Sequence, residues 1–450
     1  MKEYIWKRID TPSVMFSALS TKKWGRTCRV AVVLKGLQAD EALIKQAAED
    51  LRTRFPHYYS KLKRGFFWNY LEQADGAVEV CKESQRPVRP IVLHSDNRPD
   101  FRLVYSGNRI ALEWAHYITD GVGGMTYLKS FVQRYLELAV GLPSKAHDGI
   151  LYWKDAPSQH EQTDFFSEYG KYDGEAIKEP LKEVYRQDAV FEKDYLQLMY
   201  LKTDAASIKE RSDFYSVTAT EYMTAAVMMA FLRTSKEPIC KPIGVDIPVD
   251  LRRIMGADTL RNFVYQVSTL YEPNGRRDCT LQEIADVLRG QVKAQLDPEN
   301  LRGILKGLTT LAANKAVKVI PNFIKTPVLR VAQARSHSDE TTIITNLGLV
   351  TFPQSMQEHI DHLEFVNGDT SGYGLPATCS MIACNGTFVF CISSSNRNVA
   401  AWHELVHVLQ EDGVSVCVEV EQGYTEKMPD RNVCATKNSR FSAEKSAVST

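Results

Sequence analysis

The decisive stretch is Arg109-Ile110-Ala111-Leu112-Glu113-Trp114-Ala115-His116-Tyr117-Ile118-Thr119-Asp120-Gly121-Val122-Gly123-Gly124. Its first seven residues are mostly apolar, and with 101–105 they read as a hairpin turning at Ser106-Gly107-Asn108. His116 falls where that strand gives way to a glycine-rich turn. Beyond the turn, Met125, Leu128, Val132, Tyr135, Leu136 and Val140 form the apolar stripe of a helix that ends near Gly141-Leu142-Pro143. A strand that fixes the backbone and a turn that opens the side chain to a cleft suit a general base. Imidazole, with an ordinary pKa of about 6.5, can accept a proton at pH 7. Glycines at 121, 123 and 124 allow close approach of another backbone or a ligand. The string His-x-x-x-Asp arises by chance about once in thirty chains of this composition. A hydrogen-bonded histidine at a strand end, with Asp120 capping the next helix, is the plain alternative.

On either side of this segment, apolar periodicity predicts strands over 29–34, 65–71, 195–201, 242–248 and 263–270, and a later block over 341–345, 362–366, 379–383, 387–393 and 414–420. Helices are expected over 39–55, stopped by Pro56, over 219–233 with Thr218 and Glu221 at capping-box spacing, within 280–334, and over 400–410. The polar stretch 144–192 reads as a crossover between two α/β halves with mixed sheets. The expected division is 1–165, a linker 166–193, a second half 194–425, and a loose polar tail 426–450.

Fifty-five basic residues balance fifty-five acidic ones, so the counterion-displacing excess of a nucleic-acid binder is missing. Nine scattered cysteines with no Cys-x-x-Cys pair read as free thiols of a reducing cytosol. No signal peptide and no uninterrupted apolar run of about 18 residues is visible, so the expectation is a cytoplasmic protein with no membrane partner.

Two further constellations compete for the chemistry. His403-Glu404-Leu405-Val406-His407 matches His-Glu-x-x-His, but Trp402, Leu405, Val406 and Leu409 make an ordinary buried stripe and no third ligand follows, so no metal is expected. Gly-x-Ser-x-Gly, phosphate-loop and dinucleotide fingerprints are absent. Cys379 and Cys384 lie on apolar strands, where thiols are inert.

The segment His116–Gly124 resembles the signature of the CoA-dependent acyltransferase superfamily, which includes chloramphenicol acetyltransferase, alcohol O-acyltransferases and the condensation domains of peptide synthetases. The helix over 39–55 before Pro56, Pro248-Val249-Asp250-Leu251-Arg252 with Asn262-Phe263, and Thr345-Asn346-Leu347-Gly348 match its other elements in order. The Asp-Phe-Gly-Trp-Gly signature of the plant branch is missing. The resemblance implies two chloramphenicol acetyltransferase-like halves around a tunnel, with acyl-CoA entering from one face and an alcohol or amine from the other. It implies His116 as general base, Asp120 as a structural residue paired with Arg252 (Arg253 second), and Gly121 as the residue that lets the loop turn. Thr345 and Asn346 become candidates for the oxyanion or tunnel. Acyl-CoA would be a co-substrate, with no resident cofactor, and the protein a monomer. The competing readings are a condensation-type enzyme taking its acyl group from a carrier protein, and a non-catalytic binding protein on the same fold.

Overall fold

A computed structural model describes residues 6–20, 26–83, 87–91, 96–169, 172–177, 183–190, 195–313, 319–336, 340–368, 375, 377–423 and 432–433. The chain is a mixed α/β protein, with three sheets among the described residues. The N-terminal half builds a five-stranded sheet from Thr27–Leu34, Glu79–Lys82, Phe101–Ser106 and Arg109–Ala115, with Ile360–Val366 at one edge. That last strand comes from the C-terminal half and runs antiparallel to Thr27–Leu34. The two halves are therefore joined by backbone hydrogen bonds as well as by packing. The C-terminal half forms an eight-stranded sheet whose centre is Thr342–Val350, Ala377–Cys384, Thr387–Ser394 and Leu196–Asp204. Helices Glu41–Asp50 and Gly121–Val140 cover the first sheet; Ala219–Thr234, Leu281–Gln295 and Ala400–Glu411 pack together over the second. The expected capping box is formed, with Thr218 and Glu221 bonding each other's backbone at the start of the helix Ala219–Thr234.

Where the two sheets meet, the buried layer is ionic as well as apolar. Arg109 binds Glu83 at 2.6 Å, Glu421 at 2.9 Å and Glu364 at 3.1 Å. Arg29 joins Glu83 at 2.5 Å to Glu113 at 3.1 Å, and Lys202 joins Glu364 at 3.3 Å to Glu419 at 3.0 Å. Burial pushes the Glu83 carboxyl up, but Arg29 and Arg109 outweigh it and hold Glu83 down at about 2. Removing one member of such a layer would leave its partners charged and unpaired inside the protein.

The sequence expectation of a strand over 65–71 is corrected. The chain instead makes a hairpin of Ser60–Arg64 and Asn69–Gln73, and Gly65-Phe66-Phe67-Trp68 is its turn, closed by Gly65 N–H donating to the Trp68 carbonyl at 2.8 Å. The aromatic run has strand composition, but a Cβ at Gly65 would stand 2.4 Å from the Trp68 oxygen, and that close approach makes the turn. The helix near 39–55 is shorter, Glu41–Asp50, and the last long strand is Cys417–Gly423, three residues beyond its expected place. The tail over 426–450 and Cys434 lie outside the described residues, except for Asn432–Val433, which pairs with Glu419 and Val420.

Candidate active site

Construction begins with the strand Arg109–Ala115, which delivers His116 into a turn held on all sides. The His116 N–H donates to the Arg26 carbonyl at 2.8 Å. Trp114 Nε1 donates to Thr119 O at 3.0 Å, His57 Nε2 to Ile118 O at 2.5 Å, and Thr119 Oγ1 to Leu260 O at 2.5 Å. His57 is buried, and burial, then Arg261 and Lys7, push its pKa down to about 3, so it serves as a neutral strut. Asp120 caps the helix Gly121–Val140, its Oδ1 accepting from Gly123 N–H at 2.9 Å.

The other partners of Asp120 come from the C-terminal half. Its Oδ2 accepts from the Phe263 N–H at 2.8 Å and from Arg252 Nη2 at 2.9 Å. Arg252 also binds Asp250 at 2.7 Å and the carbonyls of Thr259 and Arg261 at 2.7 and 2.6 Å. Arg253 is exposed. Gly121 does not sit at positive φ, so conformational freedom is not what it supplies. A Cβ there would meet Leu347 at 2.7 Å, and at Gly124 it would meet the Trp114 ring at 2.4 Å. The glycines permit close packing, and the Gly121 contact brings the turn after Asn346 against the start of this helix.

His116 meets a second residue that the sequence reading named only within a motif. Asn262 Nδ2 donates to the His116 carbonyl at 3.1 Å and to Ser13 Oγ at 3.0 Å, and lies 3.4 Å from Asp10 Oδ2. A carbonyl and a carboxylate can only accept, so the amide orientation is fixed and Oδ1 faces the imidazole. Nδ1 of His116 is 3.1 Å from that oxygen and must carry the proton. Nε2 then presents its lone pair, and no described residue bonds it. Phe16 lies against the ring at 4.1 Å between centroids, tilted by 33°. Burial first, then the Arg26 guanidinium, pushes the imidazole below its ordinary pKa, against the opposing pull of its own carbonyl, Asp120 and Asn262. A pKa below the ordinary histidine value favours the neutral ring at pH 7, and the residue as a whole is half-buried.

Asp10, Ser13 and Phe16 come from a stretch for which the sequence analysis offers no element. Asp10-Thr11-Pro12 is the signal that finds it: Asp10 N-caps the helix Thr11–Leu19, with Pro in its first turn.

Thr345 and Asn346 end the regular part of the strand Thr342–Val350. Asn346 is committed locally, donating to Thr220 Oγ1 at 2.9 Å and accepting from Gly348 N–H at 2.6 Å, while Thr345 Oγ1 accepts from Asn367 at 3.4 Å. His403 and His407 are exposed on the helix Ala400–Glu411, and Glu404 pairs with Arg233 at 3.3 Å. Among the described residues no group of three or more His, Cys, Asp or Glu converges on a metal-sized site.

No family model and no curated protein matches the sequence. Solved structures do match. The chain superposes on Fusarium graminearum TRI101, solved with coenzyme A and deoxynivalenol, at 11% identity and a TM-score of 0.61, covering 92% of this chain and 99% of that one. The two chains share one fold over nearly their whole length. The TRI3 trichothecene 15-O-acetyltransferase of Fusarium sporotrichioides shares this fold at 10% identity and a TM-score of 0.58, over 91% and 94% of the two chains. So does a part of the four-domain nonribosomal peptide synthetase AB3403: 11% identity, TM-score 0.52, 91% of this chain and 33% of that one. At these identities the likeness is one of architecture.

Proposed function

We propose that the protein is an acyltransferase that moves an acyl group from coenzyme A to an alcohol or amine, with His116 as general base. The observation that carries this reading is the state of the His116 ring: neutral, with Nδ1–H held by Asn262 and Nε2 unengaged by any described residue. Nε2 accepts the proton of the acceptor hydroxyl or amine as that atom bonds to the thioester carbonyl carbon. Collapse of the tetrahedral adduct breaks the carbon–sulfur bond, and the departing thiolate takes the proton back from Nε2. Such help is worth about 10²–10⁴-fold in rate, and holding both reactants together at His116 adds to it. Asp120 and Arg252 act as positioning residues, tying the turn that carries His116 to the second half. The likeness to structures solved with coenzyme A, and to an O-acetyltransferase, supports the donor and the acceptor class.

The test is thiol release from acetyl-CoA and longer acyl-CoAs with a panel of alcohols and amines, for the wild type and His116→Ala. Acceptor-dependent release that drops about a hundredfold or more in the variant is the expected result. Equal rates in the two proteins would sink the mechanism. Release only from acyl groups carried on a protein-bound pantetheine would keep the base and replace the donor.

A further inference from the structure

We propose that the protein docks, through the helix Asn322–Ser336 and the neighbouring hairpin turn, on the surface of an anionic lipid bilayer. The helix is mounted with its apolar side outward. Phe323, Ile324, Val328 and Val331 are 69%, 48%, 63% and 54% exposed. Phe66 and Phe67 at the hairpin turn are 64% and 41% exposed, and the Phe66 and Phe323 rings lie 6.2 Å apart, so the two elements make one patch. Soluble proteins rarely leave so many large apolar side chains together in water.

This orientation is built in, because the polar side chains of the helix do the anchoring. Asn322 Nδ2 donates to the Gly65 carbonyl at 2.8 Å, Lys325 Nζ to the Phe67 carbonyl at 2.6 Å, and Arg330 Nε to the Ala18 carbonyl at 3.0 Å. The charge around the patch says what covers it. The basic side chains bordering it are Lys325 and Arg330 on the helix and Arg64 next to Gly65 of the turn, within a chain of zero net charge. A bilayer with anionic headgroups takes apolar side chains into its acyl boundary and neutralises basic ones above it. A second copy joined through the same patch would set like charge against like charge. A rigid partner would need a pocket for the protruding turn, which a fluid surface supplies without one. The expectation of no membrane partner rests on spanning segments. No helix among the described residues is long and apolar enough to cross a membrane, but a face that lies on the surface needs none.

The position has a consequence for chemistry. The helix Asn322–Ser336 packs on Thr11–Leu19, whose Phe16 lies against His116. A lipid-soluble acceptor or acyl chain would leave the bilayer one helix away from the base. Docking itself does not rest on the acyltransferase reading.

Cosedimentation of the full chain with phosphatidylcholine vesicles, with and without about one third phosphatidylglycerol, tests it. Binding is expected with the anionic vesicles, weakening as salt rises from about 0.1 M to about 0.5 M. The double variant Phe66→Glu/Phe323→Glu should lose it about tenfold or more while keeping its circular dichroism and its thiol release from soluble substrates. His116→Ala should bind like the wild type and fail only in turnover, which separates the two proposals. Wild type that stays in the supernatant with anionic vesicles, or a double variant that still binds, overturns docking. A vesicle-independent dimer, or capture of an acidic carrier protein, that the double variant abolishes while vesicles do not bind assigns the face elsewhere and overturns it equally.

Discussion

Asn262 and His116 are 146 residues apart in the chain, and Asn262 Oδ1 stands 3.1 Å from His116 Nδ1. The bond crosses from one half of the molecule to the other and selects the imidazole tautomer. Replacing Asn262 with Leu is expected to lower kcat by about 10–100-fold with little change in KM, since the ring loses its orientation and the binding surfaces stay. Because the Asn262 bond raises the imidazole pKa, the same variant should move the acid limb of the pH–rate profile to lower pH. Steady-state kinetics across pH would show both, and an unmoved limb would reduce Asn262 to packing.

The wild-type profile follows from the same ring. His116 is held below the ordinary histidine value of about 6.5. On the proposed mechanism the neutral, proton-accepting form of His116 is lost as pH falls through that lowered pKa. The rate with saturating acyl-CoA should therefore rise through a midpoint below about 6.5 and be flat at neutral pH. A midpoint above about 7 would assign the limb to another group.

Asp120 and Arg252 form a buried pair at 2.9 Å. Asp120→Ala strips a helix cap and leaves a guanidinium without its main partner, a loss of about 3 kcal/mol or more. Arg252→Ala should cost a similar amount. The double variant should be less unstable than the two losses added, a coupling that urea denaturation of the four proteins would measure. Strict additivity would show the contact to be energetically idle.

Two glycines should respond in opposite directions. Gly124→Ala drives a methyl to 2.4 Å from the Trp114 ring, and the start of the helix must shift, at about 1–3 kcal/mol. Gly290 lies inside the helix Leu281–Gln295, and a methyl added there would meet nothing within 4 Å. Gly290→Ala should therefore stabilise by about 0.5–1 kcal/mol. Thermal melts of both single variants separate close approach from simple helix propensity.

Acid should attack the ionic layer first. Glu83 is held at about 2 in the folded protein, below the unfolded value of about 4.3. Its contribution is complete above the unfolded value and disappears as pH falls through the folded one. The melting temperature should drop between about pH 4.5 and about pH 2, and Glu83→Gln should flatten that slope while lowering stability at neutral pH. A slope equal to the wild type's would remove Glu83 from the account.

Elements and motif are both legible in the sequence. Strands such as Arg109–Ala115 and helices such as Ala219–Thr234 can be read because their apolar spacing and caps are local properties of a few neighbouring residues. His116, Asp120 and Gly121 stand in one short segment, so their motif can be read too. What surrounds them is settled by folding alone. Asn262, Ser13 and Asp10 reach His116 across long stretches of chain, and hydrogen-bond partners at that distance leave no periodicity to read. The Phe66-Phe67 run misleads for a related reason: β propensity describes a half-buried pleated surface, and what lies around a residue is set by how the elements pack. The edge strand Ile360–Val366 is the same lesson at larger scale. Its alternation announces a strand, but which half receives it is fixed by the sheet edge that Thr27–Leu34 leaves open.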